Sequence, residues 1–171
     1  MPDHSALKAT ATAAYTLFDD GDVAGVDTLY APDLVDHNPV YGATSAIEGM
    51  RTMVEWTRDG CTDPHHEILY QAVIDDEHVV TQWRMTGRQT GPFLGNEATG
   101  RDLTFVGTDI VRIAGGRITE LRHVEDLFGA HAPDDRVTKT RRLGIAAPGT
   151  QRDAAGIVDK TAVTQHRRET S

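Results

Sequence analysis

The feature that most constrains the fold of this chain is a change in hydrophobic periodicity near residue 60. Before that point, apolar residues recur at helical spacing, and after it they alternate as they do in β-strands. Three helical segments are predicted before the change, and each is closed by an Asp-Gly or Ala-Pro turn signal. They span residues 7–18, 22–30 and 45–58, with a short extended piece at residues 34–37.

The second part of the chain predicts four long antiparallel strands. Ala114-Gly115-Gly116 separates two alternating runs, which is a strong signal for a hairpin. The predicted strands cover residues 66–73, 79–89, 103–113 and 117–127. Helices followed by a strand meander indicate an α+β fold, with the helices on one face of a curled sheet.

Charge divides the chain near residue 130. Residues 1–130 carry nine Lys or Arg against 21 Asp or Glu, whereas residues 131–171 carry eight against five. We therefore predict one domain over residues 1–130 and a basic C-terminal extension over residues 131–171, partly ordered on the acidic domain or flexible. The acidic domain argues against nucleic-acid binding, because a phosphate backbone requires a basic footprint.

The sequence also predicts a cytoplasmic protein with no membrane segment and no metal. No run approaches the ~20 apolar residues of a membrane span, and the first residues lack the charge pattern of a signal peptide. The single cysteine, Cys61, excludes an internal disulfide and a cysteine-built metal site. His65 and His66 are adjacent on a predicted strand, so their side chains are expected to diverge and not to share an ion.

Three segments of the sequence resemble the SnoaL-like polyketide cyclases and ester cyclases, which belong to the superfamily named for nuclear transport factor two. They are YTLFDDGDVAGVDTLYAPDLVDHNP, VVTQWRMTGRQTGPFLGNEATGRDLTFVGTDIVRIAGGRITE and RHVEDLFG. The resemblance covers about residues 7–130. It implies a cone, in which a bent sheet wraps a long helix around one pocket. It also implies intramolecular aldol ring closure of an apolar carbonyl compound without a cofactor.

The same resemblance implies that Asp126, near the end of the last strand, is the general acid/base. A carboxylate in an apolar pocket has a raised pKa, which suits it to removing a proton next to a carbonyl. The alternative is a structural carboxylate at the strand end, and the sequence leaves open which face of this strand lines the pocket. Two positions depart from the family pattern: Gln89 replaces a frequent His, and Arg122 a frequent aromatic residue. Gln89 cannot exchange a proton, but its amide could hold an oxyanion.

Two further residues are candidate catalytic groups. His37 follows the extended piece and could hydrogen-bond a substrate carbonyl, although a structural histidine is the favoured alternative. Asp36 beside it is expected to point the other way. Asp109 lies in an otherwise apolar strand, as a second pocket acid or as half of a buried ion pair with an Arg such as Arg122. The ion pair is the favoured interpretation.

Six residues are predicted to contact the substrate. Each either lies on the same side of its strand as a candidate catalytic residue or is an aromatic residue near the predicted pocket. They are Tyr15, Trp83, Met85, Phe93, Phe105 and Arg122. Simple core packing is the favoured alternative for Trp83. Phe93 is expected either to cover the pocket or to enter a dimer contact.

Three functions remain open at this point. The first is a cyclase or isomerase, or a related lyase, acting on an apolar carbonyl substrate. The second is a non-catalytic carrier or scaffold on the same fold. The third is a hydrolase-like protein that activates water through Asp126 and Asp109. Apolar residues at both strand parities further predict a homodimer joined sheet to sheet.

Overall fold

Three helices and a five-stranded sheet make up the structure, a computed structural model that describes residues 4–127. The helices are α1 (His4–Asp20), α2 (Val26–Leu29) and α3 (Ile47–Gly60). The strands are β1 (Tyr30–Asp36), β2 (Cys61–Val73), β3 (His78–Gln89), β4 (Asp102–Ala114) and β5 (Arg117–Glu125). The predicted α+β class, with helices first and a curled sheet after them, is confirmed.

The sheet is a meander with one added edge strand. Its order is β1-β5-β4-β3-β2, and β2 to β5 pair antiparallel in sequence order. β1 joins the free edge of β5 in parallel, with Tyr30 opposite Ile118 and Asp36 opposite Leu121. This pairing brings residues from the helical part of the chain beside the last strand.

The helices close one end of the sheet with an aliphatic core. Val26, Val54, Val79 and Ile118 are fully buried there, and they come from α2, α3, β3 and β5. A second, largely aromatic cluster lies farther along the sheet and includes Trp83. Residues of both clusters line the cavity described below.

Several element bounds differ from the predicted ones, and α2 begins at Val26 and not at residue 22. Tyr30 was predicted to face inward from the second helix, but it is extended and begins β1, because Ala31-Pro32 already disfavours helix. β2 begins at Cys61, directly after α3, and not at His66. Bulges between Thr62 and His65 and between Ile68 and Tyr70 obscure the alternation in this strand. β5 ends at Glu125 and not at Leu127.

Residues 131–171, the predicted basic extension, lie outside the described residues. Within residues 4–127, none of the helices combines the length and the apolar character that crossing a membrane would require.

Candidate active site

A cavity opens between α1, α3 and the concave face of the sheet. Its empty volume, counting the open mouth, is about 780 Å³. The wall is mostly apolar, and Tyr15, Trp83, Met85, Phe93 and Phe105 all belong to it. Five of the six predicted contact residues therefore line one cavity; their role in binding substrate remains a prediction. Titratable side chains also reach this wall, and they include Asp109, His66, His123 and Glu125.

Asp109 is held in the wall by two hydrogen bonds to a single oxygen. The Tyr15 hydroxyl donates to Oδ2 at 2.8 Å, and the Trp83 indole nitrogen Nε1 donates to the same atom at 2.9 Å. Oδ1 accepts no hydrogen bond from a described residue, although it is buried. The carboxyl group is thus oriented through one oxygen, and its other, buried oxygen is not engaged by a hydrogen bond from residues 4–127.

Gly107 makes room for this arrangement. It lies opposite Trp83 in the β3–β4 register, two residues before Asp109. A Cβ atom at Gly107 would lie 2.3 Å from Cζ2 of the indole ring. The missing side chain therefore lets the ring lie across β4 and reach the Asp109 carboxylate.

The surroundings shift the pKa of Asp109 upward. Burial is the largest cause, and it outweighs the Tyr15 hydrogen bond and the positive charge of His123, so that the pKa is about 6. Burial and the neighbouring carboxylate both raise the pKa of Tyr15, which therefore stays a neutral donor. At pH 7 most of the Asp109 carboxyl groups are therefore ionised, in a site where water solvates the charge poorly.

A second polar cluster joins β1 and β5 at the same cavity. The side chain of His123 is 2% exposed, and both of its ring nitrogens face carboxylates. Nδ1 lies 2.5 Å from Glu125 Oε1, and Nε2 lies 3.1 Å from Asp36 Oδ2. Burial by itself would lower the pKa of His123, but the two carboxylates together outweigh it and raise the pKa to about 10. His123 is therefore an imidazolium at neutral pH, with both N–H groups already engaged.

Asn38 holds the backbone of this cluster in place. Its Oδ1 accepts from the His123 amide at 3.0 Å, its Nδ2 donates to the His123 carbonyl, and its own amide donates to Asp36 Oδ1. Asp36 was expected to point to the opposite side from His37, and it does. Asp36 is a buried partner of His123, because β1 lies beside β5 in the sheet, whereas His37 lies at the surface.

A β-bulge in β5 decides which side chains enter the cavity. Ile113 pairs with Ile118, but Arg112 pairs with Glu120, so one extra residue, Thr119, lies in β5. An extra residue reverses the alternation of everything that follows it. Ile118 is consequently buried before the bulge, and His123 is buried after it.

This reversal moves Asp126 out of the candidate site. Asp126 was grouped with Ile118 by simple alternation, but it follows the end of β5, is exposed and is not among the residues of the cavity wall. Its backbone amide donates to the Val106 carbonyl. Glu125 occupies the wall instead.

The favoured ion pair between Asp109 and Arg122 is wrong. Arg122 is exposed and lies 3.4 Å from Glu120, because it points to the outer face of β5. It lies outside the cavity wall, so the prediction that it contacts substrate there is not supported by its position.

Gln89 is buried but faces the loop at residues 90–101, and not the cavity. Its Nε2 donates to the carbonyl of Glu97 at 3.0 Å and, over longer distances, to those of Gly91 and Asn96. Its Oε1 accepts from the Thr99 hydroxyl at 2.8 Å. With both ends of the amide engaged, Gln89 fastens this loop and is not placed to hold an oxyanion.

The position of His37 agrees with the structural alternative that was favoured for it. Its Nε2 lies 2.9 Å from Glu120 Oε2, on a partly exposed surface outside the cavity wall. Among the interactions that lower the pKa of Glu120, this hydrogen bond has the largest effect.

The side chains of His65 and His66 were expected to diverge, but both ring Nδ1 atoms face the same carboxylate. Their Nδ1 atoms lie 3.5 Å and 2.6 Å from the two oxygens of Asp19, although only His66 lines the cavity. A bulge just before His65 breaks the regular alternation there. Over residues 4–127 no group of three or more His, Cys, Asp or Glu side chains is arranged to hold a metal ion.

Several solved structures resemble this one. TsrD from Streptomyces laurentii shares 25% identity, with a TM-score of 0.69, over 77% of this chain and 96% of that protein. IdmH from Streptomyces antibioticus, a candidate polyketide cyclase, shares 23% identity, with a TM-score of 0.62, over 72% and 94%. An LEH-like epoxide hydrolase from M. tuberculosis shares 16% identity, with a TM-score of 0.59, over 76% and 85%. Among curated proteins, no significant match was found.

The last two similarities show a shared fold, which hosts more than one kind of named protein. A match to the family described as SnoaL-like polyketide cyclase extends over residues 8–132, most of the chain, and confirms the resemblance that the sequence motifs indicated. The chain belongs to the SnoaL-like polyketide cyclase family.

Proposed function

We propose that this protein is a cofactor-independent enzyme that removes a proton from a carbon next to a carbonyl group in an apolar substrate. The reaction class is intramolecular aldol ring closure or a related isomerisation, with Asp109 as the base. The observation that carries the proposal is the asymmetry of Asp109: two donors on Oδ2, and an Oδ1 that is without a partner among the described residues. Membership of the SnoaL-like family supports the same reaction class.

The surroundings of Asp109 suit it to this step. Its pKa of about 6 leaves it mostly ionised at neutral pH, while the apolar wall leaves the charge poorly solvated and therefore basic. Tyr15 and Trp83 fix the orientation of the carboxylate. The His123 imidazolium lies across the β4–β5 pair from Asp109, and its positive charge favours the ionised form of that carboxylate.

The two other functions are less well supported by the geometry. A scaffold with a filled cone does not agree with the open cavity between α1, α3 and the sheet. A ligand carrier requires the same cavity, and the exchange experiment below distinguishes it from an enzyme. A hydrolase that activates water between Asp109 and Asp126 requires both carboxylates at the cavity, and Asp126 is not among its wall residues.

A bicyclic ketone tests the proposal without knowledge of the natural substrate. We expect the protein in D₂O to accelerate α-deuterium exchange into 2-tetralone, measured by proton NMR, since exchange needs only the enolisation step. Asp126→Asn is expected to retain the wild-type rate to within about twofold, because that side chain lies outside the wall. A wild-type protein that binds 2-tetralone but does not exchange its protons would favour the non-catalytic carrier.

We further propose that two copies associate through the outer face of the sheet. Val35, Val106 and Val124 lie on β1, β4 and β5 with 45%, 38% and 72% of their surface exposed. Exposed apolar groups on one sheet face favour a partner. We expect light scattering to give twice the chain mass of 18.7 kDa and Val124→Glu to shift the protein towards monomer. A wild-type mass of 18.7 kDa would contradict the dimer.

A further inference from the structure

His66 lies beside the two side chains that orient Asp109. Its ring centroid is 5.0 Å from that of Trp83 and 5.7 Å from that of Tyr15. All three rings belong to the cavity wall. A substrate in contact with Asp109 would therefore have His66 within reach of another part of the same molecule.

Asp19, in the last turn of α1, holds His66 at two points. Its Oδ1 lies 2.6 Å from the ring atom Nδ1, and its Oδ2 accepts the His66 backbone amide at 3.1 Å. A carboxylate on one ring nitrogen keeps the proton there, fixes the orientation of the ring, and stabilises the positive charge once the ring is doubly protonated.

The second ring nitrogen of His66, Nε2, remains available. Its hydrogen-bonding capacity is unused among residues 4–127, and it is not fully buried. The residue as a whole lines the cavity. The side chain as a whole is only 6% exposed. An oriented and otherwise buried imidazole with one open nitrogen is the arrangement that general acid/base catalysis requires.

We propose that His66 is a second catalytic residue, a general acid that delivers a proton from Nε2 to the substrate oxygen, and that Asp19 is its positioning residue. The inference rests on the proposed function of Asp109 and adds the group that receives the developing negative charge. It explains why a histidine on the cavity wall, with a side chain only 6% exposed, is held by the partly exposed carboxylate of Asp19, an arrangement that packing alone does not require.

The proton and electron balance of ring closure is complete with these groups. The C–H bond next to one carbonyl breaks, its proton goes to Asp109, and its electron pair forms the enolate. The enolate carbon bonds to the second carbonyl carbon, whose π electrons move to oxygen. That oxygen takes the Nε2 proton of His66. Asp109 then loses its proton and His66 regains one through water at the open mouth.

His65 provides a matched control. It neighbours His66 in the sequence, and its Nδ1 lies 3.5 Å from the same carboxylate, but its side chain is 70% exposed and outside the cavity wall. A general effect of losing a histidine near Asp19 would appear in both His65→Gln and His66→Gln. A catalytic role predicts an effect only in the second variant.

Two probes separate the acid step from the base step. Exchange of 2-tetralone in D₂O needs both a base and stabilisation of the enolate oxygen. Ring opening of 5-nitrobenzisoxazole needs the same C–H abstraction, but its N–O bond breaks to a nitrophenolate that stabilises its own charge. We expect His66→Gln to lower the first rate by about 10²-fold and the second by no more than about threefold. Asp109→Asn should lower both, whereas His65→Gln should change neither.

Rescue experiments complete the test. Added imidazole should restore exchange in His66→Ala, since the deleted ring leaves space that opens on the cavity, and should not restore it in Asp109→Asn. Asp19→Asn should give a partial loss at an unchanged melting temperature. Equal exchange by His66→Gln and wild type would overturn the inference while leaving Asp109 as the base. If Asp109→Asn also retains both rates, or the wild type accelerates neither probe, the proposed function fails and the inference fails with it.

Discussion

Replacing Asp109 by asparagine is expected to lower the rate of 2-tetralone exchange by at least about 10²-fold, because the amide keeps the shape of the carboxyl group but cannot take a proton. The amide oxygen can still accept hydrogen bonds from Tyr15 and Trp83, so the fold and the affinity for apolar ligands should change little. The measurement is the exchange rate at saturating ketone, together with the melting temperature. An unchanged rate would remove Asp109 from the mechanism.

The same carboxylate predicts the pH dependence of the reaction. The base must be ionised, and the pKa of Asp109 is about 6, so exchange should fall about tenfold per pH unit well below pH 6. The Tyr15→Phe variant is a control for which the direction of the pH shift can be predicted. The hydrogen bond from Tyr15 lowers the pKa of Asp109, so its loss should move the falling limb to higher pH. If the falling part of the rate–pH profile moved to lower pH, or did not move, the group that titrates there would not be Asp109.

His123→Leu is expected to be the most destabilising single substitution at the site, at about 3–5 kcal/mol of unfolding free energy. The variant leaves the carboxylates of Asp36 and Glu125 in a poorly hydrated place without the cation between them. Urea unfolding of the variant and the wild type measures the difference. His37→Leu is the matched control, since the solvent-screened pair between His37 and Glu120 should contribute far less to stability. Equal losses in the two variants would contradict this view of the His123 cluster.

The contribution of His123 to the free energy of unfolding should also decrease as the pH rises. Its pKa is raised from 6.5 in the unfolded chain to about 10 in the folded protein. A raised histidine pKa stabilises the fold fully below pH 6.5, and the stabilisation is lost as the pH rises to about 10. The stability difference between wild type and His123→Leu should therefore shrink from near-neutral pH to pH 10. A constant difference over that range would mean that His123 is neutral in the fold.

Local patterns predicted most of the fold and much of the cavity wall. Helical spacing in the first part of the chain and alternation in the second part are enforced by burial of one face, so they appear directly in the sequence. β3 and β4 pair without a register shift from His78–Arg112 to Arg88–Asp102. Simple parity therefore placed Trp83, Met85, Phe105 and Asp109 correctly on one face. The resemblance to the SnoaL-like family added the cone and its reaction class.

What only the tertiary structure decided is which polar groups meet inside the cone. The Tyr15–Asp109 hydrogen bond joins residues 94 positions apart, and the contact between Asp36 and His123 joins residues 87 positions apart. The parallel pairing of β1 with β5 creates the second contact, and no local pattern specifies that pairing. A single extra residue in β5, Thr119, then reverses the side-chain alternation, so that His123 and Glu125 face the cavity in place of Asp126. Alternation depends on an exact count of residues in a strand, whereas a bulge changes that count without changing the hydrophobic character of the sequence.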